Sequence, residues 1–190
     1  MKKLMTIVLA MAMLLTLFAG CGKAEKPAET VPMKLPASAL EILENVWAKY
    51  ADDEKFAVVG GNIEANIMDA PGAVDMAYTG HLNYNLLVPE DKTANVAEAA
   101  SMIHMMNANT FTCGVFKLTG TTAADFGTVM RDAVQNNQWM CGFPEKLLIQ
   151  SCGDTYVLVA FGLNDAMTPF ETHLKEAYPD FQTLYSETIG

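Results

Sequence analysis

Apolar and polar positions along the chain change rhythm several times, and each rhythm predicts an element. Leu4 to Phe18 is an apolar run, interrupted by Thr6 and Thr16, behind Lys2 and Lys3. Further on, Ala39, Leu43, Val46, Trp47 and Tyr50 recur at helical spacing behind Ser38, with Glu41 three places after the serine. That arrangement is a capping box, so it predicts a helix over 39–51 with Trp47 in the core. Phe56 to Val59 is a short run of strand formers stopped by Gly60-Gly61, and 62–80, with Pro71, Gly72 and Gly80, reads as irregular. His81 to Val88 alternates, with His81, Asn83 and Asn85 on one side and Leu82, Tyr84, Leu86 and Val88 on the other. Period two predicts a strand with one solvated face, ended by Pro89. Residues 92–106 set Val96, Ala99, Ala100, Ile103 and Met106 on one stripe and read as a helix, with Met102, His104 and Met105 beside the stripe.

The C-terminal half is more regular. Thr110 to Leu118 predicts a strand, and Thr122 with Asp125 opens a helix to about Asn136 with Phe126, Val129, Met130, Ala133 and Val134 inward. Lys146–Cys152 and Thr155–Gly162 flank Gly153-Asp154 and predict a hairpin. A glycine in the first position of a two-residue loop suits a type II′ turn, which would set Cys152 opposite Thr155 and Ile149 opposite Leu158. Thr168 followed by Pro169 reads as a cap and first helical position, for a helix to about Tyr178 with Phe170 and Leu174 inward. The expected fold class is α+β: a mainly antiparallel sheet with helices packed on it, the C-terminal half running β-α-β-β-α.

The opening run carries a different message. A basic start, an apolar segment and small residues before a cut site make an export signal, here residues 1–20. A membrane span needs about 20 apolar residues, and this run stops at Gly20 before Gly22, Lys23 and Glu25. Leu17 to Cys21 resembles the bacterial lipobox, with Phe18 where leucine is usual and Ala19, Gly20 and Cys21 in pattern. The resemblance implies that the Cys21 thiol receives a diacylglycerol and becomes the first residue of the mature chain, palmitate-type acylation then holding it on the outer, extracytoplasmic face of the cell membrane. Residues 21–36, with Lys23, Glu25, Lys26, Pro27, Glu29, Pro32 and Pro36, have too few apolar groups to fold and form a flexible spacer. A single domain over 37–190 follows, long enough to bury a core without staples.

Charge removes some functions. The chain has 22 acidic and 12 basic residues; without Lys2 and Lys3 the basic count is 10 and the net charge −12. Arg131 is its single arginine. Such a chain has no basic footprint for phosphate backbones, so nucleic acid is not a partner. Besides Cys21 there are Cys113, Cys141 and Cys152, with no C-x-x-C among them. At most one disulfide can form, and Cys141 with Cys152 is the pair placed to meet, closing a loop of about 11 residues worth roughly 3 kcal/mol. The expectation is nonetheless that the thiols stay reduced, with Cys113 a small hydrophobe in mid-strand.

Thr112-Cys113-Gly114-Val115-Phe116, then Gln138 through Lys146, then Asp154-Thr155-Tyr156-Val157, taken with the lipobox, resemble a group of uncharacterised lipoproteins of clostridia and their relatives, gathered under a domain of unknown function. The resemblance covers residues 110–178 best. It implies a small α+β fold at the cell surface and carries no activity, cofactor or catalytic residue to transfer.

No catalytic, metal or cofactor constellation stands out. Gly60-Gly61 lacks the spacing of a dinucleotide loop, and H-E-x-x-H and close Cys/His sets are absent. The acidic residues fall on expected helix faces rather than in pairs among aromatics. Two candidate binding segments remain. One is the loop with Trp139, Cys141 and Phe143; the other is the polar row His81, Asn83 and Asn85. The leading expectation is a noncatalytic binding or interaction module whose partners are the membrane, through the anchor, and another envelope protein or a small ligand. The alternatives are a small envelope enzyme using Cys141 or Cys113 with His104 or His81, and a solute-binding accessory protein.

Overall fold

The computed structural model describes residues 35–190 apart from Asn107, Asn109 and the side chain of Ile63. The export signal, Cys21 and nearly all of the spacer lie outside the described residues. Lys34–Gly190 is one compact unit.

Helix α1 spans Ala39–Trp47, and the Ser38 hydroxyl accepts the Glu41 N–H at 3.0 Å as the capping pattern requires. Its first N–H is taken by Glu98 Oε1 at 2.6 Å, which gives that half-buried carboxylate a partner. Short strands β1 (Val58–Gly60), β2 (Ile67–Met68) and β3 (Gly72–Val74) follow. Helix α2 is Gly80–Tyr84, β4 is Val96–His104 and β5 is Phe111–Leu118. Helix α3 (Ala123–Gln135), strands β6 (Lys146–Cys152) and β7 (Tyr156–Gly162), helix α4 (Asn164–Ala177) and strand β8 (Gln182–Thr188) complete the order. The eight strands form one antiparallel sheet in the order β2-β1-β4-β5-β7-β6-β8, with β3 also paired to β4. The fold is thus α+β.

Alternation along the central strands builds a core on each face. Phe116 of β5, Ile149 of β6 and Val157, Val159 and Phe161 of β7 pack with Phe126, Met130 and Val134 of α3 and with Leu82 and Leu86. Phe111, five residues earlier on β5 and so on the opposite face, meets Phe170 of α4 edge-on at 5.2 Å. Ile42, Leu43 and Val46 of α1 are fully buried, and α1 packs on β4, β5 and α4. Strands covered on both sides need no polar face, and every residue of β7 is buried.

That double burial corrects one expectation. Residues 92–106 are not a helix: Glu90–Asn95 makes a 3₁₀ turn and β4 follows. Ala99, Ala100, Ser101 and Met102 are consecutive and all buried, so no period-two alternation marks the strand, and alanine's helix preference misleads. Residues 81–88 are likewise not a strand. Leu82 and Leu86 are buried four apart, one helical turn, and Leu87 then adopts a left-handed φ of 59° before the chain turns. His81, Asn83 and Asn85 therefore do not form a row on one sheet face.

The hairpin is shifted by one residue. Cys152 pairs with Tyr156 and Ile149 with Val159, across a three-residue loop in which Gly153 has φ 56°. The third loop residue frees Asp154, whose Oδ1 accepts the first N–H of α3 at 3.0 Å. Helix α4 begins at Asn164, not Thr168, because Glu145 Oε2 takes the Asn164 N–H and the Thr110 carbonyl takes that of Leu163. Pro169 lies inside this helix. Strand β8, on the far side of β6, has no counterpart in the expected elements.

Candidate functional site

A cleft of about 380 Å³ opens at the end of the sheet where β4 leaves and β5 enters. Three segments make it. The turn after α2 supplies Tyr84, Asn85 and Leu87; the β4–β5 connection supplies Ile103, His104, Met106 and Thr112; the loop after α3 supplies Asn137 to Gly142. Its floor is the open end of the α3-side core, where Phe161 is buried and Leu87, Ile103 and Trp139 are partly so. The indole of Trp139 packs on the Phe161 ring at 5.5 Å between centroids.

The rim is unusually apolar for solvent-facing positions. Tyr84 is 82% exposed, Met106 59% and Met140 85%, with Met105 and Phe143 also exposed nearby in sequence. Isolated exposed hydrophobes need no explanation, but several gathered at the mouth of one cleft mark a contact surface. Flexible methionines suit such a surface because they adapt to what they touch.

Several polar groups at the cleft lack partners. Asn85 Oδ1 and Trp139 Nε1 are both shielded from solvent and unbonded. Leaving a buried donor or acceptor unmet costs about 1–3 kcal/mol, so each is a site of stored instability. Leu87, held left-handed, adds backbone strain to the same wall.

A smaller recess of about 280 Å³ adjoins, sharing Asn85, Ile103 and His104 and bordered by Gly61, Asn62 and His81. His81 Nε2 lies 3.3 Å from Ser101 Oγ, a contact that resembles a nucleophile and its base. The hydroxyl is in fact structural: Ser101 is fully buried, and its Oγ accepts the Gly61 N–H at 3.0 Å and lies 3.3 Å from the Gly61 carbonyl. Burial holds the His81 imidazole below its ordinary pKa, the Glu64 carboxylate opposing only in part.

The candidate residues separate accordingly. Trp139, Cys141 and Asn85 come together in the cleft, and His81 lies in the recess beside it. Asn83 is structural, donating to the Val88 carbonyl at 2.8 Å and to Thr93 Oγ1 at 3.2 Å. Phe143 stands outside the lining, 67% exposed. Tyr84, Leu87, Met106 and Phe161 join the site only through tertiary structure.

The thiols are dispersed. Cys113 is buried at mid-sheet, where burial pushes its pKa well up, and Cys141 is an exposed free thiol at the cleft. The Cys141–Cys152 bridge is not formed: Cys141 lines the end of the sheet where Phe111 and Phe161 lie, whereas Cys152 ends β6 beside Tyr156. Strand β6 rises about 20 Å between those ends. Cys141 and His104 do share the cleft, yet His104 is not arranged as a base. Its Nδ1 accepts the Met106 N–H at 2.9 Å, which puts the ring proton on Nε2, and its ring stacks on Phe56 at 5.1 Å. Among the described residues Cys141 makes no hydrogen bond to a histidine, and no group of three His, Cys, Asp or Glu is placed to hold a metal ion.

The chain matches no family model, no curated protein and no solved structure.

Among the described residues no helix is long and apolar enough to cross a membrane.

Proposed function

We propose that this chain is an extracytoplasmic lipoprotein, tethered through Cys21, whose domain is a noncatalytic binding module with the cleft as its ligand site. One observation carries the reading: a concave site of about 380 Å³, within the range of small-molecule sites, gathers an apolar floor, exposed aromatic and methionine rims and unpaired polar atoms. A catalytic reading would need a nucleophile within reach of a free imidazole nitrogen, and the Cys141 thiol shares the cleft with His104, whose Nδ1 lone pair is taken.

The anchor and the cleft are tested separately. For the anchor, Cys21→Ser removes the acceptor of the lipid. Each acyl methylene contributes about 0.8 kcal/mol of membrane affinity, so loss of two chains should move the protein out of the detergent phase on phase partition. An unchanged membrane fraction in the variant would refute the anchor. For the cleft, the mature chain with Cys21→Ser is titrated with Nile red, a neutral apolar dye, and saturable single-site fluorescence is expected. Met106→Glu and Met140→Glu, both at exposed positions that the fold tolerates, should each weaken it severalfold. Non-saturating binding, or binding indifferent to both substitutions, sinks the cleft as the ligand site.

A further inference from the structure

The lining narrows the class of ligand, a step that rests on the cleft being a binding site. The whole chain carries a net charge of −10, yet among the described residues no Asp, Glu, Lys or Arg lines the cleft. A charged ligand would be desolvated there without a counter-charge, which is the least favourable way to bury it. The ligand is therefore neutral.

It is also rich in hydrogen-bonding groups. Asn85, Thr112, Asn137 and Gln138 offer amides and a hydroxyl, each able to donate and accept. Among the described residues the side chains of Asn137 and Gln138 make no hydrogen bond, so they are available to an occupant. Two further demands are specific. Asn85 Oδ1 lacks a donor and Trp139 Nε1–H lacks an acceptor, while Leu87 and Ile103 of the same lining offer an apolar surface. A secondary amide with a methyl group answers all three demands, supplying N–H, C=O and a small apolar end.

We propose that the cleft binds a neutral N-acetylated amino sugar. The acetamido N–H goes to Asn85 Oδ1, its carbonyl accepts from Trp139 Nε1, and its methyl rests against Leu87 and Ile103. The ring hydroxyls pair with Asn137, Gln138 and Thr112, and the C–H face of the sugar lies on the exposed ring of Tyr84. Both unpaired atoms are covered in the empty cleft, so these two contacts require Asn85 and Trp139 to turn as the ligand enters. No bond is made or broken. A plain hexose would leave the amide demand unmet, whereas a peptide, whose own amides can also pair with Asn137, Gln138 and Thr112, is set apart by experiment.

The exposed Cys141 thiol reports occupancy of the cleft. In the mature chain carrying Cys21→Ser, its alkylation by iodoacetamide is followed by mass with three probes: N,N′-diacetylchitobiose, cellobiose, which has hydroxyls in place of the acetamido groups, and N-acetylalanine methylamide, a peptide amide without hydroxyls. Diacetylchitobiose should slow alkylation saturably, and the other two should not at equal concentration. Trp139→Phe, which keeps a ring but removes the donor, should weaken diacetylchitobiose by about three- to tenfold, the worth of one hydrogen bond. Asn85→Ala is the second variant, with a similar expected loss, should the first fail to fold. Equal protection by cellobiose, protection by the peptide amide alone, or none by diacetylchitobiose overturns the assignment. Nile red separates the two levels: retained dye binding with no sugar protection removes the sugar alone, whereas loss of both removes the binding site itself.

Discussion

Two glycines determine how the short strands meet. A Cβ built on Gly60 would stand 2.0 Å from the Gly72 backbone nitrogen, and one on Gly72 would stand 2.5 Å from the Gly60 carbonyl carbon. Both obstacles are backbone, so nothing flexible can give way. We expect Gly60→Ala and Gly72→Ala each to lower stability by about 3 kcal/mol or to prevent folding, at the upper end of overpacking costs. Gly80→Ala is the control, since a Cβ there meets only the Tyr84 ring at 3.9 Å. Urea midpoints decide: an unshifted midpoint for either of the first two would mean the strands can separate. In sequence, Gly60-Gly61 reads only as the end of a strand, and the close approach of Gly72 that requires Gly60 is identified only by the sheet. The same limit applies to Asn85. Its amide was singled out in a polar row, and its orphaned oxygen became visible only with Leu87 turned left-handed beside it.

At the scale of elements, what was readable followed from how many faces each element buries. Helices α1 and α3 have one wet face and a capping residue, Ser38 and Thr122, and both were found within a few residues of their ends. Strands β5, β6 and β7 were recognised by their length and bounding turns, although both their faces are dry. Strand β4 is hidden because Val96, Ala99, Ala100 and Ile103 happen to recur at helical spacing, while four consecutive buried residues leave no alternation to oppose it. Helix α2 was lost for the opposite reason: five residues are too few for a helical period to outweigh a chance alternation. The hairpin slipped by one because Asp154 is occupied outside the turn, capping α3, a demand no local rule contains. Strand β8 escaped because an edge strand, mostly exposed or half-exposed and held to the sheet by β6 alone, lacks an apolar face of its own. The cleft is legible in its Trp139–Cys141 wall and in Asn85; the rest of the other two walls comes largely from the two misread segments.

For the molecule as a whole, burial of histidines sets the response to pH. His81 and His104 are both held below the ordinary histidine pKa by desolvation, so the fold keeps them neutral where the unfolded chain would protonate them. As pH falls through about 6.5 the unfolded state gains protons the folded state does not, and stability declines towards the folded pKa values. Glu187, held below the usual carboxylate range chiefly by its hydrogen bond to Arg131, responds later, losing its contribution only as pH falls through its own lowered value. We therefore expect a lower urea midpoint at pH 5.5 than at pH 7.5, and a smaller difference when His81→Gln and His104→Gln are combined; an undiminished difference would show that other groups carry it. The order of the sheet has one more consequence, for the chain while it is being made. The apolar strand β6 gains its outer neighbour only from residues 182–188, after β7 and α4 have been synthesised. At roughly 5–20 residues per second, the edge holding Leu147, Leu148 and Ile149 waits a few seconds for that neighbour. During those seconds the nascent chain presents an open, sticky strand edge of the kind that pairs with another copy.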